Sequence, residues 1–156
     1  MKKAFLFLAV NSLSVIFIFA QEAPSFKEAK MNLAYQQYIQ LKDALVASKA
    51  DDAKRMGGQL QQTLLSMNNK KGSNQAGKIA ASSKLDDQRL AFSELSDEMN
   101  NLVKANKPVS GTLYLEYCPM ANNDAGAYWL SNEKEIKNPY FGSMMLKCGS
   151  VKETIH

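Results

Sequence analysis

The stretch Pro108-Val109-Ser110-Gly111-Thr112-Leu113-Tyr114-Leu115-Glu116-Tyr117-Cys118 decides the fold, because the periodicity of the chain changes there. Leu113, Leu115 and Tyr117 alternate with Thr112, Tyr114 and Glu116, the period of a half-buried strand that runs straight into Cys118. Upstream the apolar residues recur at helical spacing instead. Leu85, Phe92, Leu95, Met99 and Leu102 mark one face of a long helix that should stop before Pro108.

Working backwards, Ala34, Tyr38, Leu41 and Leu45 trace a second helical stripe, with Met31 and Tyr35 on the adjoining row, in a helix that Pro24 is suited to start. A helix opening at Asp51, with Asp51 as its cap, carries Ala53, Met56, Leu60, Leu64 and Met67 on one face. Gly57-Gly58 weakens that helix by about 1 kcal/mol per glycine unless close packing against a neighbour compensates. The segment from Asn68 to Gly77 holds two Gly and three Asn, which is the composition of a connection. Three helices so joined predict an antiparallel bundle over about residues 24–106 that buries its stripes with no help from the tail.

Working forwards, Asn122-Asn123-Asp124-Ala125-Gly126 reads as a turn, Tyr128-Trp129-Leu130 as an apolar anchor, and Asn138-Pro139 as another turn. The stretch from Met144 to Ile155 can supply a return strand. The expected fold class is therefore α+β, mostly α, a three-helix antiparallel bundle with a small C-terminal β element over about residues 109–156.

At the other end, Lys2-Lys3, the apolar run from Ala4 to Ala20 and the polar Gln21-Glu22 have the layout of a signal peptide over residues 1–20, cleaved near Ala20. The run is short and diluted by Asn11, Ser12 and Ser14, so a lasting membrane anchor is not expected. Residues 21–156 then form one domain, periplasmic or secreted, large enough for its own core. Loss of Lys2 and Lys3 lowers the formal charge from +4 to +2. No stripe of Lys and Arg with interleaved aromatics remains, which argues against nucleic acid as a partner.

The chemistry sits in the tail. Cys118 and Cys148 are the two cysteines of the chain, and Met120, Met144 and Met145 stand within a few residues of them. Thiolate and thioether sulfurs are soft ligands that favour Cu(I), so these five residues are a candidate metal site. An oxidising compartment offers the same two cysteines another fate: a disulfide with Cα atoms about 4.4–6.8 Å apart. The two fates exclude each other at any moment, and both require the cysteines to be neighbours. Met144 and Met145 are adjacent, so in a strand only one could aim at a shared site. His156 is the single histidine and ends the chain, where fraying is expected. With no nucleophile–base pair around it and no Gly-rich phosphate loop, an enzyme is not expected. Asp51-Asp52 and Asp86-Asp87 read as solvated faces.

Four tail motifs, Tyr117-Cys118-Pro119-Met120-Ala121, Gly126-Ala127-Tyr128-Trp129-Leu130-Ser131, Asn138-Pro139-Tyr140-Phe141-Gly142 and Met145-Leu146-Lys147-Cys148-Gly149, resemble domain of unknown function 3347. That family comprises exported bacterial proteins whose members also occur fused to periplasmic adaptor subunits of heavy-metal efflux systems. The resemblance implies heavy-metal efflux components as partners. Tyr117-x-Cys-Pro-Met is also similar to metal-binding segments of copper-transport proteins, where a histidine commonly follows the methionine. Ala121 stands there instead, which leaves a metal dependent on sulfur alone and favours Cu(I) or Ag(I) over zinc. The functional expectation is a Cu(I) or Ag(I) carrier or accessory of copper homeostasis. The alternative is a disulfide-stapled interaction module without metal, docking through Tyr128, Trp129, Tyr140 and Phe141.

Overall fold

The computed structural model describes residues 23–156, so the signal-peptide reading lies outside the described residues. Among them the order is α1 (Ala29–Val46), α2 (Ala50–Ser66), α3 (Lys70–Ala81), α4 (Leu85–Ala105), β1 (Leu113–Cys118), β2 (Ala127–Ser131), a 3-10 turn (Gly142–Met144) and β3 (Ser150–Ile155). The α+β class is therefore correct, whereas the segment expected as a connection between helices is itself a helix.

The physical reason is packing. The Asn69 side chain caps α3 by accepting from the Gly72 N–H at 2.7 Å, which satisfies a donor that the first turn cannot. A Cβ on Gly57 of α2 would lie 3.0 Å from Ile79 Cγ2 and 3.1 Å from the Ala76 carbonyl oxygen of α3. The small residues that look like a loop thus let two helices approach closely and bury Leu60, Leu64, Ala76 and Ile79 between them.

Two starts also differ from expectation. The chain between Pro24 and Glu28 is not helical; Asn32 grips it by accepting from the Phe26 N–H and donating to the Phe26 carbonyl, each at 2.6 Å. Lys49 precedes α2, so Asp51 does not cap it but lies in its first turn, where its charge still complements the helix dipole.

The three strands form an antiparallel sheet of order β2-β1-β3, with Glu116 opposite Trp129 and Tyr117 opposite Tyr128. Against β3 the register slips between Leu115 and Glu116, a bulge beside the middle of β1. Helices and tail share one core rather than two. Tyr38 stacks on Phe92 at 5.2 Å, Phe92 meets Tyr140 at 5.9 Å, and Tyr140 meets Trp129 at 5.9 Å, an aromatic chain from α1 through α4 to the sheet. The expected separation of bundle and tail does not hold.

Candidate functional site

The tail is fastened to the helices by polar groups that turn inward. Arg89 of α4 is buried, and it donates from Nε to the Pro139 carbonyl (3.0 Å) and from Nη2 to Ser48 Oγ (3.1 Å) and the Leu45 carbonyl (3.4 Å). It thereby satisfies the end of α1 and holds the loop after β2 in one move. Burial lowers its pKa, and the nearby Asp86 opposes that shift. Gly142 approaches the same place with φ +58°, where a Cβ would lie 2.6 Å from Ser48 Oγ and 3.0 Å from the Val46 carbonyl. Only glycine fits there without strain.

Asn138 organises the rest of the loop. Fully buried, it donates through Nδ2 to the Cys148 carbonyl, accepts at Oδ1 from the Tyr140 N–H, and gives its own N–H to Leu146, each at 2.8 Å. The Tyr140 hydroxyl donates to the Tyr128 carbonyl at 2.6 Å. In the sequence Asn138 is legible as a turn residue and as the first residue of a tail motif, and Arg89 carries no signal beyond one buried-face position in a helix.

Inside this frame Cys118 and Cys148 form a disulfide with Cα atoms 5.8 Å apart, within the window expected from their sequence setting. The bridge joins the end of β1 to the residue two before β3, and Cys118 is fully buried. In the oxidised chain both sulfurs are bonded to each other, so a metal at the candidate set Cys118, Met120, Met144, Met145 and Cys148 requires the reduced chain, where its thiolates exist. Met120 (46 % exposed) and Met144 (75 % exposed) line the same groove, of about 540 Å³, between the start of α4 and the tail loops. Met145 is half-buried and does not line it.

Tyr140 and Phe141 also line the groove; Leu90 adds an exposed apolar side chain, and Asp86, Asp87 and Asp124 supply exposed carboxylates. The acid pair Asp86-Asp87 is thus solvated, as expected. Of the expected aromatic docking face, Trp129 and Tyr140 are buried in the core, Phe141 is half-buried and Tyr128 is exposed, while Leu90, Met120 and Met144 are the exposed apolar residues of the groove. His156 is not frayed free of the fold: its ring lies 3.2 Å from the Thr112 hydroxyl.

A family model described as "Protein of unknown function (DUF3347)" matches residues 34–111, half of the chain. The chain belongs to that family. The match runs over the helices and ends before β1, so the DUF3347 signature of this protein lies in the bundle, while the four tail motifs that carry the resemblance fall outside it. No curated protein and no solved structure matches this DUF3347 chain.

Proposed function

We propose that this DUF3347 protein is an exported, disulfide-stapled interaction module without catalytic activity, and that its groove docks a basic, apolar segment of an exported partner. The carrying observation is the convergence of Leu90, Met120 and Met144 on one groove rimmed by three carboxylates, with its lone guanidinium, Arg89, already committed inward. Methionine side chains adapt to varied apolar partners, and an acidic rim selects Lys or Arg flanking the apolar anchor. The bridge supports this reading by fixing the loops that form the groove wall while leaving no thiol for other chemistry. Heavy-metal efflux components, implied by the family resemblance, are the partners among which to seek that segment.

A photo-crosslinking side chain at the exposed Asn123 tests the reading in cells. Adducts should map to segments carrying Lys or Arg beside apolar residues and should be lost in the double variant Leu90→Glu/Met144→Glu. Adducts that persist in that variant would refute the groove as the docking face.

A second reading belongs to the reduced chain alone: Cu(I) or Ag(I) held by Cys118, Cys148, Met120 and one of Met144 or Met145. The shared exposure of Met120 and Met144 on one groove favours it. Competition with a Cu(I) chelator under anaerobic reduction tests it: Cys118→Ser should weaken binding far more than Met120→Leu.

A further inference from the structure

In the middle of β1, at the bulge, Glu116 is 0 % exposed and neither carboxylate oxygen has a hydrogen-bond partner. Its cross-strand neighbour on β2 is Trp129, whose indole Nε1 faces it without reaching hydrogen-bond geometry and is also unpartnered. A second buried ionisable group comes from α1. Lys42 is 2 % exposed, yet its ammonium turns outward to Asp43, at 2.9 Å, whose carboxylate is exposed.

The other charged and titratable groups around Glu116 are accounted for. From α1, Tyr35 and Tyr38 face it with their hydroxyls engaged by Asn132 and Ser96 respectively, and burial raises both phenols. Asp97 of α4 lies beyond Tyr38. From the loop after β2, Glu133 and Lys137 pair with each other. On β3, Lys152 covers the Tyr117 ring and Glu153 pairs with Lys104. Among the described residues that face Glu116, Lys42 is therefore the buried cation available to its ionised form.

A buried carboxylate with no partner is tolerated as the neutral acid and strongly penalised as the anion. Burial pushes Glu116 up to about 8, although Lys42 pulls the other way. The lysine thus holds one exposed acceptor, Asp43, and lies within electrostatic reach of the buried Glu116 carboxyl.

We propose that Glu116 and Lys42 form a proton-operated switch at the seam between α1 and the sheet. With Glu116 protonated, the Lys42 ammonium pairs outward with Asp43; when the proton leaves to solvent, Lys42 turns inward to the Glu116 carboxylate and Asp43 is released. The switch rests on none of the docking or metal readings above.

Trp129 is the single tryptophan of the chain and sits opposite Glu116, so its fluorescence reports the switch directly. Titration of the full chain from about pH 6 to about pH 10 should show one transition near 8 in the wild type. It should be absent in Glu116→Gln and displaced upward in Lys42→Met, which removes the compensating cation. The carboxyl carbon resonance of Glu116, followed by NMR over the same range, must titrate with the same midpoint, and it decides the matter should Glu116→Gln fail to fold. A wild-type signal that is flat over that range, a transition that survives Glu116→Gln, or a midpoint unmoved in Lys42→Met would each overturn the proposal.

Discussion

Replacing both bridge cysteines by alanine isolates what the staple contributes. The bridge spans a separation of 30 residues. In the chain-entropy treatment, closing a loop of that length removes about 12 cal/mol/K from the unfolded ensemble, or about 3.6 kcal/mol at room temperature. Cys118 lies in a fully buried position, and truncation to alanine there forfeits a further contribution of about 1 kcal/mol for the sulfur's packing. Cys118→Ala/Cys148→Ala should thus lose about 4–5 kcal/mol, a large share of the about 5–15 kcal/mol typical of a domain. Urea titration of the oxidised wild type and the double variant, read by helical circular dichroism and by Trp129 fluorescence, measures it. Loss should be seen by both probes together, because helices and tail share the aromatic chain through Phe92 and Tyr140. A difference below about 1 kcal/mol, or a variant in which fluorescence melts while the helices keep their wild-type midpoint, would refute the view of the bridge as a staple of one cooperative unit.

Gly142→Ala forces a side chain at φ +58° against Ser48 and the Val46 carbonyl, and should cost about 1–3 kcal/mol in thermal or chemical unfolding. Arg89→Met leaves the Pro139 carbonyl without its donor and takes one of two donors from the Leu45 carbonyl, which keeps the Ser48 N–H; a loss of about 2–3 kcal/mol is expected, with near-intact helical dichroism in the folded state. Glu116 gives the stability a pH slope of definite sign. Its folded pKa of about 8 exceeds its ordinary 4.5, so the folded chain holds the extra proton between those values. Stability is therefore fully present below about pH 4.5 and falls as pH rises towards 8, by at most about 1.4 kcal/mol per pH unit, and Glu116→Gln should flatten that slope in urea titrations at stepped pH.

The helical stripes were readable because one face of each helix does all the burying: Ala34, Tyr38, Leu41 and Leu45 of α1 and Phe92, Leu95 and Met99 of α4 are all fully buried. Strand β1 was readable from its alternation and from Gly111 before it. Helix α3 was not, since Gly72, Ser73 and Gly77 have poor intrinsic propensity and earn their place only through the closeness of α2, which is tertiary information. In the tail, the proximity of Cys118 to Cys148 followed from their setting at strand ends. The anchoring by Arg89 and Asn138 did not, because each acts through backbone carbonyls distant in sequence that no side-chain pattern encodes. Glu116 occupied a position of alternating polarity that reads as solvent-facing; coverage by α1 buries it instead.

The state of the two tail sulfurs separates a stapled docking module from a thiolate metal carrier. The most direct measurement is intact-mass analysis of the mature chain recovered without reductant and alkylated under denaturing conditions, paired with Cu(I) chelator competition on the same sample. A disulfide-stapled module predicts no alkylation at Cys118 or Cys148 and no copper withdrawn from the chelator. Two alkylated cysteines together with about one equivalent of bound Cu(I) would contradict it.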